Sequence, residues 1–295
     1  MPARVGDYEF ELGGDHLSEL RESDPDDDAV TLRRRLAADG YLLFRGFHDE
    51  DAVRRARGDL VDHLDDEGLL DPSAPPEEAR VGDEDRGAFV GGGGPDHAAR
   101  FPDLTALVEG ESVLSFFGRL LDDEPFTYDY KWARATEPGG FTGFHYDRVY
   151  MGRGTEDLFT LWTPLGDVPV EMGPLLVCEG SNHFRDLRET YGQVDVDRDD
   201  AEGAFSSDPL EVTEQFGGEW KTADFEAGDA IVFGPYTLHG SLANQTDRYR
   251  LSTDTRYQGL SDPVDGRWVG ADPIGHYNWT GGEVSMDELR ERWGL

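Results

Sequence analysis

Two side chains that can bind a metal stand two residues apart in the middle of the chain. His145 and Asp147 are separated only by Tyr146, and the segment before them contains glycine and phenylalanine. In an extended strand, side chains at positions i and i+2 point to the same side, so the imidazole and the carboxylate would be directed at one point. This spacing predicts that His145 and Asp147 share a divalent metal ion.

His239 is the candidate for a third ligand from another part of the chain. It follows Gly228-Asp229 and the apolar run Ala230–Phe233, a pattern that predicts a turn and then a short buried strand. Two imidazoles and one carboxylate on one face of an ion leave the opposite coordination positions open. That donor set is typical of non-heme Fe(II) oxygenases, in which a cosubstrate and O2 take the open positions.

Arg250 adds a cation to this group. It opens a run whose alternate residues are polar and are predicted to share one face of a strand: Arg250, Ser252, Asp254 and Arg256. A guanidinium binds a carboxylate through two parallel hydrogen bonds, and Ser241 could add a hydroxyl donor. We therefore expect Arg250 and Ser241 to bind an acidic cosubstrate. The alternative is that Arg250 pairs with Asp254 or with another acidic residue.

The first part of the chain predicts helices around a strand. Leu32 and Leu36 are at helical spacing in a segment that begins near residue 29 and stops at Gly40. Residues 41–47 are predicted to form a strand, and residues 49–64 an amphipathic helix capped near its first aspartates. Residues 70–100 are rich in Pro, Gly and acidic residues and are predicted to be a loop, either a surface excursion or a lid. Their four consecutive glycines match no phosphate-binding motif.

From residue 126 onward the pattern changes to short β-rich runs. Such runs between Gly, Pro and Asp predict a sandwich or jelly roll rather than βαβ units. The predicted strands are residues 126–135, 158–165, 174–178, 230–233 and 251–258. We expect a single domain over residues 1–295, with a mostly helical region and loop at 1–125, the β core at 126–260 and a C-terminal extension at 261–295 whose tail, 285–295, is helical.

The charge excludes some classes of partner. The formal net charge is -36, with 63 acidic and 27 basic residues. A field of this sign repels phosphate backbones and anionic lipids, so we expect a small-molecule substrate and neither nucleic acid nor a membrane as partner. Only two basic residues are lysines, Lys131 and Lys221. This composition is typical of extreme halophiles, although an acidic protein from an ordinary organism is the alternative.

Other features bear on location and assembly. The single cysteine, Cys178, cannot form an intrachain disulfide and fits a reducing cytosol. The N-terminus lacks the apolar segment of a signal peptide, and no apolar run approaches the roughly 18 residues of a membrane span. We therefore expect a cytoplasmic protein. Both a monomer and a homodimer remain open.

The remaining histidines are not expected to bind metal. Five of them lie in acidic or polar segments without a partner at ligand spacing and are predicted to be surface residues: His16, His48, His63, His97 and His276. His183 is expected to order the turn after the strand at 174–178, because a fourth protein ligand would block a position that oxygen chemistry needs open.

From residue 29 to about residue 257 the chain resembles the phytanoyl-CoA dioxygenase family, within the Fe(II)/2-oxoglutarate oxygenases of double-stranded β-helix fold. The matching residues are the segment Leu36–Phe47, the pair His145 and Asp147, Leu161–Leu165, Gly173–His183, Gly228-Asp229 before His239, and Arg250–Ser252. The resemblance implies a mainly β fold with flanking helices and a jelly-roll, cupin-like core.

The resemblance also implies roles for individual residues. Those matching His145, Asp147 and His239 hold iron in the family, those matching Arg250 and Ser241 hold the distal carboxylate of 2-oxoglutarate, and Trp162 matches a tryptophan lining the cosubstrate pocket. Lys131 lies on the strand leading to the motif and is a further candidate for cosubstrate binding, or else a surface residue. Candidates for the substrate side are Tyr146, Tyr150, Met151 and Arg153.

The function expected from this resemblance is hydroxylation of a small molecule with Fe(II), 2-oxoglutarate and O2, releasing succinate and CO2, with ascorbate useful in vitro. Related halogenases lack the carboxylate of Asp147, so its presence favours hydroxylation. The acidic chain disfavours a polyanionic CoA thioester. Two alternatives remain: a non-catalytic binding protein of the same fold, and a cupin-like metalloenzyme that uses no oxoacid.

Overall fold

The computed structural model describes residues 2–82, 87–277 and 283–295. Within these residues the chain forms fourteen strands. They are β1 (Ala3–Val5), β2 (Tyr8–Phe10), β3 (Ser18–Glu19), β4 (Glu22–Ser23), β5 (Tyr41–Phe44), β6 (Ala88–Gly92), β7 (Pro125–Thr127), β8 (Lys131–Thr136), β9 (Phe159–Pro164), β10 (Leu175–Glu179), β11 (Glu219–Thr222), β12 (Ala230–Phe233), β13 (His239–Ser241) and β14 (Arg250–Gly259).

Ten α-helices accompany the strands in the same described residues. They are α1 (Ala29–Asp39), α2 (Glu50–Asp66), α3 (Gly94–Arg100), α4 (Pro102–Val108), α5 (Glu111–Leu121), α6 (Arg148–Met151), α7 (Arg185–Glu189), α8 (Val196–Asp199), α9 (Pro209–Phe216) and α10 (Met286–Trp293). Short 3-10 turns connect several of them.

Two mainly antiparallel sheets make up the core. The large sheet has the order β4-β5-β12-β9-β14-β8-β6, with β7 also pairing with β14, and the small sheet has the order β13-β10-β11-β3. Strand β14 is the longest and pairs with both β8 and β9. The predicted mainly β architecture with flanking helices is confirmed.

Alternation along β12 shows how the large sheet is buried on both faces. Ile231 and Phe233 pack toward the small sheet in a cluster that includes Leu175 and Val177 of β10. The intervening residues Ala230 and Val232 pack on the other face, in a cluster with residues of α1 and α5. Because successive side chains point to opposite faces, a strand apolar at every position fits a sheet between two layers.

Helix α1 begins and ends where the sequence predicts, and α2 begins as predicted but ends two residues later, at Asp66. Asp28 and Asp49 accept hydrogen bonds from backbone N–H groups in the first turn of each helix. Gly40 ends α1 in a left-handed conformation, with φ of 89°, which is accessible to glycine without steric cost. The helix predicted for the tail is present as α10, capped by Ser285.

The predicted loop at residues 70–100 is wrong in its second half. Strand β6 pairs with β8, and α3 follows directly. The glycines allow close packing: a Cβ atom on Gly94, whose φ is +75°, would lie 2.0 Å from the carbonyl oxygen of Ala271. The sequence suggested a loop because four glycines disfavour regular structure, but here they let the C-terminal extension pack against the sheet.

Strands from before residue 126 are integral to both sheets. β5 lies inside the large sheet between β4 and β12, and β3 pairs with β11 in the small sheet. The β core therefore begins well before residue 126, the boundary that the sequence suggested, whereas its last strand, β14, ends at Gly259, next to the suggested boundary at 260. The single-domain organisation itself stays a prediction.

Among the helices that the structure describes, none combines the length and apolar composition that crossing a membrane requires.

Candidate active site

Three side chains from two segments of the chain converge at one point. The Nε2 atoms of His145 and His239 lie 3.8 Å and 3.7 Å from Oδ1 of Asp147. One potential ligand atom from each residue lies within 4.8 Å of the others. Among the described residues this is the one cluster of His, Cys, Asp and Glu that could hold a metal ion. The structure thus brings together the three residues predicted from sequence.

The two histidines are brought together by the backbone. His145 and His239 form an isolated antiparallel bridge in which each backbone N–H donates to the other's carbonyl oxygen, over 2.9 Å and 3.1 Å. Their rings consequently lie side by side, with centroids 4.3 Å apart. Strand β13, which carries His239, also pairs with β10, so the imidazole is fixed to the small sheet.

Hydrogen bonds at Nδ1 determine which nitrogen of each imidazole faces the site. The Nδ1 of His145 lies 2.8 Å from the carbonyl oxygen of Gly143, and the Nδ1 of His239 lies 2.9 Å from that of Thr237. A carbonyl can only accept, so each Nδ1 carries the proton and each Nε2 presents a lone pair. Burial lowers the pKa of His145 to about 3 and also lowers the pKa of His239, which keeps both rings neutral.

Asp147 does not continue the strand that was predicted for the motif. Its backbone is helical, with φ of -57° and ψ of -26°, and it immediately precedes α6. The convergence therefore arises from a bridge residue followed by a helical turn, not from two positions of one strand. The expected convergence is present, but the predicted strand is wrong because the chain turns into α6 after Tyr146.

The carboxylate of Asp147 is oriented by its neighbours. The hydroxyl of Thr160 donates to Oδ2 over 2.5 Å, and Nη2 of Arg256 donates to the same oxygen over 3.1 Å. Oδ1 is left facing the two imidazoles. Burial alone would raise the pKa of Asp147, but the charge of Arg256, the two imidazoles and the Thr160 hydrogen bond together hold it well below its usual value.

A cavity of about 250 Å³ opens beside the three ligands. Its wall combines aromatic and apolar residues with charged and hydroxyl groups, as expected for a small-molecule site. Besides His145, Asp147 and His239, it is lined by Trp132, Arg134, Thr142, Tyr150, Met151, Thr160, Trp162, Leu175, Phe233, Gly240, Ser241, Arg250, Asp254, Arg256 and His276. A larger cleft of about 860 Å³, between α1 and residues 234–237, contains none of the three ligands.

Arg250 is a buried cation in this cavity without an ion pair among the described residues. Its side chain is 2% exposed, its Nη2 donates to the hydroxyl of Thr136 over 2.6 Å, and its Nε has no hydrogen-bond partner in the described part of the chain. Asp254, the alternative partner considered from sequence, instead binds Arg134 and Arg256. Burial, and next the charge of Arg134, lowers the pKa of Arg250 to about 10.

An unpaired buried guanidinium is costly, so its position indicates an anionic ligand. Ser241 lines the same cavity and accepts a hydrogen bond from the backbone N–H of Thr142 over 2.9 Å, which leaves its hydroxyl proton available to a ligand. Trp162 lies in the wall with Leu175 and Phe233. The residues present therefore fit a divalent metal ion and a small dicarboxylate.

Lys131 does not reach the cavity, contrary to the sequence-based suggestion. Its ammonium lies 3.0 Å from Oε1 of Glu109 and also donates to the carbonyl oxygen of Tyr128. Trp132 and Arg134 on the same strand line the cavity instead. Side chains alternate along β8, so Lys131 points to the opposite face of the sheet.

The prediction of a surface position is wrong for two histidines, His48 and His276. His48 is 7% exposed and its Nε2 lies 3.0 Å from the hydroxyl of Thr163. His276, from the C-terminal extension, lines the cavity with its Nδ1 3.2 Å from Oδ2 of Asp197. The sequence around each histidine does not indicate burial, because the residues that bury them, which include Thr163 and Asp197, lie far away along the chain.

Of the four residues predicted to lie on the substrate side, two line the cavity and two do not. Tyr150 and Met151 line the cavity. Tyr146 is fully buried and donates to the carbonyl oxygen of Ser181, and Arg153 pairs with Asp195 through a 2.6 Å contact. Sequence reasoning missed Arg134 and Thr160, because only the folded sheets bring them to the ligands.

A family profile and a relative of known activity each match most of the chain. A family profile described as phytanoyl-CoA dioxygenase (PhyH) matches residues 36–252. The chain is also 27% identical over 244 residues to 1-deoxypentalenic acid 11-beta-hydroxylase from Streptomyces exfoliatus, a match that covers 80% of this chain and 83% of that protein.

Two solved structures illustrate the likeness of fold. SnoK, a non-heme alpha ketoglutarate dependent carbocyclase from nogalamycin biosynthesis, gives a TM-score of 0.57 at 20% identity, over 83% of this chain and 89% of that one. Apo EctD from S. alaskensis gives 0.56 at 19% identity, over 90% of each chain. These likenesses show the shared jelly-roll fold alone. Because the family profile spans more than half of the sequence, the chain belongs to the phytanoyl-CoA dioxygenase family.

Proposed function

We propose that the protein is an Fe(II)- and 2-oxoglutarate-dependent dioxygenase that hydroxylates a small molecule and releases succinate and CO2. The observation that carries this proposal is the buried, unpaired guanidinium of Arg250 in the same cavity as His145, Asp147 and His239. A metal site alone has no need of a cation that is costly to bury. A dicarboxylate that binds the metal at one end and Arg250 at the other explains both features.

The residues of the chain have distinct tasks in this function. The two Nε2 lone pairs and Oδ1 of Asp147 would hold the iron, while Arg250 and Ser241 would bind the distal carboxylate of 2-oxoglutarate. Bound iron, 2-oxoglutarate and O2 supply the oxidising chemistry. The apolar wall that includes Trp162, Leu175 and Phe233 excludes water from the cosubstrate.

Relatives support both the cofactors and the reaction class. EctD from S. alaskensis has been crystallised with bound Fe, and with 2-oxoglutarate and 5-hydroxyectoine. The relative from Streptomyces exfoliatus is named as a hydroxylase. Asp147 is present as a carboxylate, which supports hydroxylation over halogenation by the family resemblance.

Two other functions fit the structure less well. A non-catalytic binding protein would need neither open coordination positions nor a cation beside them. A cupin-like enzyme without an oxoacid would have no use for Arg250, since Asp254 already has two arginine partners.

The test is binding followed by turnover. The purified protein is loaded anaerobically with Fe(II) in molar KCl, and 2-oxoglutarate binding is measured by titration calorimetry. We expect one 2-oxoglutarate per metal, and oxygen-dependent succinate release when ascorbate and candidate metabolites are added. If 2-oxoglutarate fails to bind the metal-loaded protein, the proposed function is wrong.

A further inference from the structure

The wall of the cavity includes a residue from outside the part of the chain that matches the family profile. The profile ends at residue 252, whereas His276 belongs to the C-terminal extension and lines the cavity. We call residues 263–277, all of which the structure describes, the C-terminal strap. The strap contains neither a helix nor a strand. Its position therefore depends on its contacts with the rest of the protein.

A buried ion-pair network around Arg267 fixes the strap in place. Arg267 is 4% exposed, and its guanidinium pairs with Asp197 of α8 and with Asp265 of the strap itself. Its Nη2 also donates to the carbonyl oxygen of Tyr150 over 2.8 Å. Breaking a buried ion pair leaves a charge uncompensated, so this network opposes detachment of the strap.

The backbone of the strap fits closely against its neighbours. The N–H group of Tyr130 donates to the carbonyl oxygen of Trp268 over 3.1 Å. A Cβ atom on Gly154 would lie 2.8 Å from the backbone nitrogen of Asp265, and one on Gly93 would lie 2.5 Å from Cγ of Pro273. Glycine at both positions lets the strap lie in contact with two separate parts of the chain.

Aromatic rings extend these contacts from the strap to the cavity. Trp268 is fully buried and packs against Trp132 of β8, with ring centroids 4.9 Å apart. The ring of His276 meets Trp268 and Tyr150 edge-on, with centroids 4.8 Å and 5.3 Å away. Its Nδ1 lies 3.2 Å from Oδ2 of Asp197. The imidazole is therefore held by a ring on each of two sides and by a hydrogen bond.

Under the proposed function, His276 lies on the side of the cavity that remains for the substrate. Arg250 and Ser241, which would bind 2-oxoglutarate, belong to β14 and β13. The ring of Tyr150 contacts both His276 and His145, with centroids 5.3 Å and 5.4 Å away. The wall formed by α6 and the strap thus reaches the candidate metal ligands without including a residue assigned to the cosubstrate.

We propose that the C-terminal strap forms the outer wall of the substrate compartment and that the imidazole ring of His276 limits the size of the substrate. The inference rests on the proposed function, because it assumes that Arg250 and Ser241 bind 2-oxoglutarate. Trp268, Tyr150 and Asp197 hold the ring, so it cannot move aside without losing packing or a hydrogen bond. A substrate too large for the remaining space would meet the ring, and a steric clash of this kind is a source of specificity.

Neutral alicyclic alcohols of increasing size test this limit: cyclopentanol, cyclohexanol and 1-adamantanol. The protein is loaded with Zn(II) and 2-oxoglutarate, so that the alcohols bind without turnover, and affinities are measured by ligand-observed NMR in molar KCl. Mn(II) in place of Zn(II) broadens the signals of an alcohol that binds near the metal, which locates it. We expect the wild type to bind the two smaller alcohols and to bind 1-adamantanol much more weakly.

Substitutions at position 276 separate the volume of the ring from its hydrogen bond. His276→Ala should bind 1-adamantanol about 5-fold to 150-fold more tightly than the wild type, the usual range when overpacking is relieved. His276→Asn keeps an N–H donor for Asp197 but removes the ring, so it should behave like His276→Ala. His276→Phe keeps a ring without the hydrogen bond and should exclude 1-adamantanol like the wild type.

His183→Ala is the matched control, because His183 is exposed and does not line the cavity. It should bind all three alcohols like the wild type. Binding of 2-oxoglutarate to each metal-loaded variant reports an intact fold.

Several outcomes would overturn the inference. They are equal binding of 1-adamantanol and cyclopentanol by the wild type, unchanged affinity for 1-adamantanol in both His276→Ala and His276→Asn, and admission of 1-adamantanol by His276→Phe. Absence of binding, or of broadening by Mn(II), for every alcohol in every protein would overturn it too. Failure of the wild type to bind Zn(II) and 2-oxoglutarate, measured before any alcohol is added, contradicts the proposed function instead.

Discussion

The two oxygens of Asp147 have different environments, and this asymmetry defines the site at the scale of single residues. Oδ2 accepts hydrogen bonds from Thr160 and Arg256, so only Oδ1 faces the imidazoles. Each histidine is likewise held by a carbonyl at Nδ1. Outer hydrogen bonds of this kind fix ligand orientation before metal binds, which limits the entropy lost on binding.

Replacing Arg250 with alanine should separate cosubstrate binding from metal binding. The change leaves the distal carboxylate of 2-oxoglutarate buried without its cation, which costs roughly 2 to 5 kcal/mol and weakens binding about 30-fold to several thousandfold. Metal affinity should survive, since Arg250 hydrogen-bonds Thr136 and not a ligand residue. Anaerobic calorimetry with 2-oxoglutarate in high salt measures the effect. Unchanged affinity would remove Arg250 from the cosubstrate site.

Thr160→Val tests whether the orientation of Asp147 matters for metal affinity. The substitution preserves shape but deletes the hydroxyl that donates to Oδ2 over 2.5 Å. We expect affinity for Co(II) or Zn(II) to fall by about 10-fold, at the lower end of effects seen for outer-shell partners of metal ligands. Thr163→Val is the matched control on the same strand, because its hydroxyl faces His48 and not Asp147. Competition with a chelating dye gives both affinities, and equal values for Thr160→Val and wild type would refute the expectation.

At the scale of elements, the sequence predicts which side chains of β14 face the cavity, but it does not predict which side chains of β8 do so. Arg250 and Arg256 face the cavity as the period of two required. On β8, both faces are buried, so the pattern around Lys131 and Arg134 does not tell which face meets the metal. The sequence therefore suggested Lys131 as the cation of β8 that reaches the cavity, whereas Arg134 is the one that lines it.

Other parts of the site depend on contacts between distant segments. His276 comes from the C-terminal extension and is placed by Asp197, which no local pattern indicates. Asp147 turns into α6 although its spacing from His145 suits a strand. The three candidate metal ligands were predictable because few residue types bind metals, whereas the other residues of the cavity are brought there by tertiary packing.

Gly240 lies on β13 between the candidate metal ligand His239 and the cavity residue Ser241, and it should not tolerate a side chain. A Cβ atom there would lie 2.5 Å from the carbonyl oxygen of Thr142 and 3.0 Å from Cδ1 of Phe144. Gly240→Ala should therefore displace β13, lowering the free energy of unfolding by about 1 to 3 kcal/mol and weakening metal binding. Gly234→Ala is the control, since no atom lies within 4 Å of its Cβ position. Urea unfolding of the metal-free proteins compares them; equal stability of the two variants would contradict this reasoning.

His48, which joins the segment before α2 to β9, should make stability depend on pH. Burial lowers the pKa of His48 to about 4, whereas an unfolded histidine has a pKa of about 6.5. Between these values the unfolded chain binds a proton that the native protein does not. Stability due to this group is therefore complete above pH 6.5 and is lost as the pH falls, with a slope of at most about 1.4 kcal/mol per pH unit.

The substitution His48→Gln removes the titrating group while keeping a polar atom near Thr163. We expect a shallower decline of unfolding free energy between pH 6.5 and 4 than in the wild type, measured by urea titration at constant KCl. The difference between the two proteins isolates His48 from the other buried histidines. Parallel pH profiles would show that His48 does not titrate on unfolding.

At the scale of the whole molecule, charge is segregated. The acidic excess gives a net charge of -36, while the described charged residues lining the cavity have an arginine in excess. Self-repulsion of like charges on the surface opposes the compact state. Under the proposed function, the excess arginine binds the dicarboxylate cosubstrate.

This repulsion predicts that salt stabilises the fold. The screening length falls from about 10 Å at 0.1 M to about 3 Å at 1 M ionic strength, so repulsion between neighbouring carboxylates weakens steeply over this range and little beyond it. We expect the free energy of unfolding in urea to rise between 0.1 and about 1 M KCl and then to level off. Sucrose at matched osmolality is the control, since it favours burial by exclusion from the surface without screening charge. A stability that is unaffected by KCl, or raised equally by sucrose, would show that surface repulsion does not limit the stability of this protein.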